Sequence, residues 1–258
     1  MASAPQQSLP LFYNGLEPLS SETHADWTMK QQETAPFLVG QHAVPITTDE
    51  FGLVQRMMPI VFSGGDDPIP LALMGLNEGV NVFMDDGGKL TENFLYVPAY
   101  IRRYPFMLAR LNPQAQEMSL CFDPTSPAIG PSDEGQRLFE NGEPSTLTKD
   151  VLAFAEQFEQ AGQRTQQFMA ELKEHDLLID GETSIQPDGA AQPFIYRGFQ
   201  MINEDKLQDM RGDQLRKMMK SGMLPLIHAH LFSLSLMRDI FARQSALGMT
   251  PTPQLPTF

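Results

Sequence analysis

The chain has 258 residues, 41% hydrophobic and 19% charged, with 18 Lys and Arg against 32 Asp and Glu for a formal net charge of -14. This composition describes a globular protein with a core, and its surface repels nucleic-acid phosphates, so no nucleic-acid partner is expected. Cys121 is the only cysteine, which excludes an internal disulfide, a thiolate-rich metal site and a CxxC redox pair.

In chain order, residues 1 to 35 read as a loosely ordered arm with Leu9, Leu11, Phe12, Leu16 and Leu19 as docking points. The opening Met1 to Gln7 lacks a positive start and a long apolar stretch, so it is not a standard secretory signal. With a lone cysteine, the expected compartment is the cytoplasm. Residues 36 to 145 read as a β-rich portion. Its strands are Phe37-Leu38-Val39, Ala43 to Ile46, Pro59 to Ser63 and Pro70 to Met74. Thr48 is a candidate cap for a short helical turn running toward Leu53. Asn81 to Met84 leads into the turn Asp85-Asp86-Gly87-Gly88, and the returning segment reaches Phe94-Leu95-Tyr96-Val97. Phe106 to Leu111 and Met118 to Phe122 read as paired strands around Asn112-Pro113-Gln114.

Residues 146 to 245 read as a mainly helical portion packing on the β body as one compact unit. Leu147 to Glu174 has helical period, with Val151, Phe154, Phe158, Phe168 and Leu172 on one face. Asp180-Gly181-Glu182 and Pro187-Asp188-Gly189 read as turns. Phe194 to Tyr196 and Phe199 to Ile202 read as a small hairpin or two short strands. Asn203 is an expected N-cap, Asp213 to Ser221 a helix stopped by Gly222, and Pro225 to Ser245 a last long helix. The apolar stretch Met223 to Met237 is interrupted by Pro225, His228 and His230, so no membrane span is expected. Residues 246 to 258 read as a loose tail. The expected class is α+β, a mostly antiparallel β body packed against C-terminal helices.

The densest chemistry lies in Tyr96-Val97-Pro98-Ala99-Tyr100-Ile101-Arg102-Arg103-Tyr104-Pro105-Phe106. Arginine forks and phenol donors suit a small anionic or planar ligand. Tyr96, Tyr100, Arg102, Arg103 and Tyr104 are therefore the candidate ligand-binding set, with Asp49, Glu50, Asp85 and Asp86 as charge partners. The same residues equally suit a structural network in which one arginine pins the β body.

This block, with Met58 to Phe62 and Gly75 to Phe83, resembles the signature blocks of the SapC family, and Gly135 to Phe139 and Leu224 to Ser233 fit as well. The likeness covers most of residues 35 to 245. It departs at Gly88-Lys89-Leu90, where the family often has an aromatic in place of Leu90. The resemblance implies an association with bacterial surface layers. It also implies proteobacterial loci that hold TonB-dependent receptors and flavin-dependent halogenase-like proteins. Some members are labelled peptidases or peptide transporter components, but this chain shows no protease motif and no membrane span to support either label.

The remaining candidates favour structural readings. Asp85-Asp86 and Asp66-Asp67 read as solvated turns, and no GxGxxG or Walker pattern exists. His24-Ala25-Asp26 has the His-x-Asp spacing of some iron sites, with His42, His175, His228 and His230 as nominal second histidines, but it sits in the loose arm and not at the mouth of a barrel, so no metal and no cofactor are expected. His228 and His230 lie two apart and do not share a helix face. His230 reads as a satisfied histidine between helix and sheet, and Cys121 as a small buried hydrophobe. Two functional readings stand side by side. One is a soluble, non-catalytic accessory protein with a protein partner, linked to outer-membrane uptake or surface-layer pathways. The other is an enzyme whose Tyr/Arg site acts on a carboxylate- or phosphate-bearing small molecule.

Overall fold

The computed structural model describes residues 9–92, 96–112, 117–187, 189 and 192–250. Met1 to Gln7, Phe94-Leu95, Pro113-Gln114 of one expected turn, Asp188 of another, and the tail from Pro251 lie outside the described residues.

The strands are β1 (Glu17–Pro18), β2 (Trp27–Met29), β3 (Ala43–Pro45), β4 (Ile60–Ser63), β5 (Pro70–Leu73), β6 (Phe106–Ala109) and β7 (Ser119–Phe122). They continue with β8 (Ile129–Pro131), β9 (Gln136–Arg137), β10 (Phe139–Glu140), β11 (Glu143–Pro144), β12 (Leu178–Ile185) and β13 (Phe194–Ile202). The helices are α1 (Phe51–Val54), α2 (Ala99–Arg102), α3 (Thr146–Glu174), α4 (Glu204–Gln208), α5 (Gly212–Ser221), α6 (Met223–Ser233) and α7 (Met237–Ala246). The fold is α+β, an antiparallel β body with C-terminal helices packed against it.

The chain divides into two compact units. One unit comprises the described residues of Met1–Glu33 and Ile101–Gln160. Three small sheets build it, in the strand orders β1-β7-β6, β8-β2-β9 and β10-β11. Phe106, Phe122, Ile129, Leu138 and Phe139 form its core, with Trp27, Met29 and Leu147 packed around them. Segments far apart in sequence are tied by polar bonds, such as the Tyr13 hydroxyl donating to the Phe106 carbonyl at 2.7 Å. The first turns of α3 belong here. Ser145 starts the helix by accepting the Thr148 N–H on its hydroxyl, as N-caps do.

The other unit comprises the described residues of Thr34–Tyr100 and Ala161–Phe258. Its five-stranded antiparallel sheet runs β12-β13-β4-β5-β3. Neighbouring residues of a strand face opposite sides, and both sides are covered. On one side Phe62 packs against Phe168 of α3 and His230 of α6. On the other, Val61, Leu73, Ile185 and Tyr196 pack with Met237 and Phe241 of α7. The expected single helix from Pro225 to Ser245 is interrupted by a 3-10 turn at Leu234–Leu236. That break lets α6 serve one face and α7 the other.

Several local expectations change. Phe37-Leu38-Val39 is not a strand: Pro36 opens a 3-10 turn closed by the Val39 N–H on the Pro36 carbonyl. The cap near residue 48 is Thr47, which forms a capping box with Glu50. Asp180-Gly181-Glu182 is not a turn but lies within β12, and Phe194 to Ile202 is one strand paired with it. The pairing matches Gly181 with Phe199 but Thr183 with Tyr196, so Arg197 and Gly198 form a bulge opposite Glu182. Gly198 has φ +93°, a conformation that favours glycine at such a bulge. The bulge turns Tyr196 and Phe199 to the same side of the sheet.

Candidate functional site

Tyr96 and Tyr100 fall in the second unit and Arg102, Arg103 and Tyr104 in the first. In the second unit, Glu50 is the organising residue of the motif. It is 4% exposed, and its Oε2 accepts the Thr47 N–H at 2.8 Å and the Thr47 hydroxyl at 2.9 Å. Its Oε1 accepts the Ala99 N–H at 2.6 Å and the Tyr96 hydroxyl at 3.1 Å. A carboxylate is an acceptor with several lone pairs, and burying one requires such donors. Glu50 thus ties the 3-10 turn at Thr48–Glu50 to the start of α2. Tyr100 is buried, and Tyr96 is half-buried.

The other acidic residues named as charge partners have partners of their own. Asp49 takes a two-pronged bond from Arg164, Nε to Oδ1 at 3.1 Å and Nη2 to Oδ2 at 2.6 Å. Asp85 Oδ1 accepts the N–H groups of Gly87 and Lys89 within its own hairpin turn, an Asx turn. Asp86 is exposed at the tip.

In the first unit the two arginines divide, Arg102 exposed and Arg103 buried. The Arg102 guanidinium sits 5.1 Å from the Phe154 ring centre. That of Arg103 sits 4.5 Å from Phe158 and 5.8 Å from Tyr13. Phe154 and Phe158 are four apart on α3 and so share a face, and the adjacent arginines use successive turns of one helix as cation–π platforms. Tyr104 packs edge-on to Tyr13 at 5.3 Å, and its hydroxyl lies 3.4 Å from Oδ2 of the fully buried Asp123. Burial pushes the Tyr104 phenol up from its ordinary range.

His24, His230 and Cys121 take structural places. His24 is 2% exposed, edge-on to Trp27 and Phe122. Its Nδ1 accepts the Ser20 N–H and its Nε2 faces Glu17 at 3.2 Å, while Asp26 of the same His-x-Asp triplet is exposed near Arg137. His230 accepts the Ile202 N–H on Nε2 at 3.1 Å, so its Nδ1 carries the proton that reaches the Ile60 carbonyl at 2.8 Å. Cys121 is buried, and burial raises its thiol pKa. Among the described residues no group of three or more His, Cys, Asp or Glu is placed to hold a metal ion. No described helix is long and apolar enough to cross a membrane.

Two further surfaces lie outside the Tyr/Arg block. One is the outer side of α6, where His228 stacks on Phe232 at 5.6 Å and Phe232 is 68% exposed. The other is a cavity over the sheet beside α7, lined by His42, Ser63, Tyr196, Arg197, Phe199 and Met237 among others. The α6 surface was partly legible, because its apolar residues run all round the helix. The cavity was not, because its lining depends on the bulge at Arg197-Gly198.

The family model described as SapC matches residues 19–240. The chain belongs to the SapC family. No curated protein matches the chain, and no solved structure matches it. SapC membership overturns the expectation of a cytoplasmic protein: the family's association with the surface layer implies a periplasmic or surface location. The composition of the opening residues and the lone cysteine had suggested otherwise, but neither feature specifies a compartment. The family match begins at residue 19 and so takes in β2 of the first unit, with β1 just before it.

Proposed function

We propose that this SapC-family chain is a non-catalytic accessory protein acting outside the cytoplasm in an outer-membrane uptake or surface-layer pathway, and that it docks an acidic protein segment on α5 and α6. The observation that carries this reading is the exposed His228–Phe232 stack on a helix of largely apolar composition. Exposed large apolar side chains of this kind mark interaction surfaces when they are grouped.

Charge selects the partner. Residues 211 to 243 hold six Arg and Lys but only two Asp, in a chain whose net charge is -14. Arg216, Lys217 and Lys220 are exposed on α5, which packs against α6. Among the described residues none of these three joins a salt bridge. Met219 lies between them in sequence and is 60% exposed. A basic and apolar surface on an acidic protein complements an acidic, apolar segment.

The alternative reading, a Tyr/Arg enzyme site for a carboxylate- or phosphate-bearing molecule, has narrower support. Of Tyr96, Tyr100, Arg102, Arg103 and Tyr104, only Arg102 is exposed. A photo-crosslinker at position 232, in cells of the source organism, tests the docking reading. One dominant acidic adduct is expected, lost when Lys217→Glu and Lys220→Glu are combined. No adduct, or one indifferent to charge reversal, refutes it. Loss of a co-purifying small anion from Arg102→Ala in native mass spectra would instead favour the enzyme reading.

A further inference from the structure

The cavity over the five-stranded sheet has a volume of about 170 Å3. A cavity of roughly 150 Å3 holds a benzene ring, so this one has room for one six-membered ring with a small substituent. Val61, Leu71, Leu73, Leu76, Phe199 and Met237 provide apolar walls. Polar groups are concentrated in Ser63, Tyr196, Arg197 and His42.

These polar groups are rich in donors. The Ser63 oxygen already accepts the Ile69 N–H at 3.0 Å, which leaves its proton to give. The Arg197 guanidinium is committed to Glu182 at 2.7 and 2.6 Å, on the face of β12 away from Tyr196 and Phe199, and is not among these donors. Tyr196 is 8% exposed, and its hydroxyl has no hydrogen-bond partner among the described residues. An orphaned buried hydroxyl is rare because it forfeits its hydration for nothing. Burial also raises the phenol pKa, so the group remains a proton donor at neutral pH.

An apolar slot of one-ring size with donors on its wall calls for a flat apolar body that ends in an acceptor-only group. We propose that this cavity is a binding site for a small aromatic carboxylate, with the Tyr196 and Ser63 hydroxyls as donors to its carboxylate. The site is separate from the α5–α6 surface and stands whether or not that surface docks a partner.

Benzoate titrated into the full chain, read by the Met237 methyl resonance, tests the proposal, with toluene as the uncharged comparison. Saturable shifts with benzoate, at least tenfold tighter than with toluene, are expected. Tyr196→Phe should weaken benzoate at least fivefold while leaving the melting temperature unchanged or raised, because the hydroxyl it removes has no partner in the free protein. Leu71→Phe, which fills the cavity from its wall, should abolish the shifts. An absence of saturable shifts, equal binding of benzoate and toluene, or unchanged benzoate binding in Tyr196→Phe would each overturn the proposal.

Discussion

The ring of Phe199 occupies the space that a side chain at Gly181 would need. A Cβ built on Gly181 lies 2.2 Å from the Phe199 ring, and the two residues are directly paired across β12 and β13. Aromatic side chains often cover a cross-strand glycine in this way. The contact explains how a residue typical of turns sits inside an eight-residue strand. It also anchors the strand whose bulge presents Tyr196.

Gly181→Ala should destabilise the protein by about 1–3 kcal/mol, the usual cost of overpacking. Phe199→Ala also loses stability by itself. The double variant should lose less than the two losses combined, because removing the ring relieves the clash. Chemical denaturation of the four proteins checks this, and strict additivity would mean that the two side chains do not compete for the same space.

Replacing Glu50 should be costly out of proportion to its size. Glu50→Ala leaves the Thr47 and Ala99 N–H groups without the carboxylate they bind, and a loss of about 2–4 kcal/mol is expected for several orphaned buried donors. Tyr96→Phe removes one hydroxyl bond to the same carboxylate and should cost about 1 kcal/mol. Urea midpoints measure both, and equal losses would refute the central role of Glu50.

The fold should weaken in mild acid because of His230. Desolvation lowers its pKa to about 4, against an ordinary value of 6.5. A base with a depressed pKa binds its proton more readily in the unfolded chain, so folding stability rises with pH across that window. The contribution is complete above pH 6.5 and is lost as the pH falls toward 4, a difference on the order of 3 kcal/mol at full loss. His230→Gln should flatten the stability profile between pH 4 and 6.5. An unchanged slope would show that His230 does not carry it.

Cys121 should resist thiol reagents in the native state. It is 1% exposed, and its raised pKa reduces the thiolate, the reactive form. Ellman's reagent should therefore label it only after denaturation, with a rate that follows opening of the β6–β7 sheet. Rapid stoichiometric labelling of folded protein would contradict this placement.

Local patterns of the sequence carried much of the fold. The 3.6-residue period announced α3, Asn203 and Gly222 marked helix boundaries, and the apolar runs around residues 60, 71, 107 and 120 became β4 to β7. Each of these signals is short-range, set by side-chain periodicity or by the backbone preference of one residue. The signature block likewise announced the family.

Long-range contact decided the rest. Gly181 resembled a turn until Phe199 lay over it, and the sequence named Glu50 as one of four acidic candidates without singling it out as the residue that meets Tyr96 and Ala99. The first unit joins β1 to β7 across about a hundred residues of chain, a pairing that local propensity does not encode. Arg102 and Arg103 suited either an anion clamp or a structural network, and the aromatic faces they rest on, Phe154 and Phe158, come from a helix some fifty residues later. Composition and periodicity thus determined most of the long helices and apolar strands, while local turns such as those at Pro36 and Leu234 and the strand through Gly181 did not follow from them. Only the tertiary structure decided which polar groups are consumed in holding the fold together, because that depends on partners brought together from distant parts of the chain.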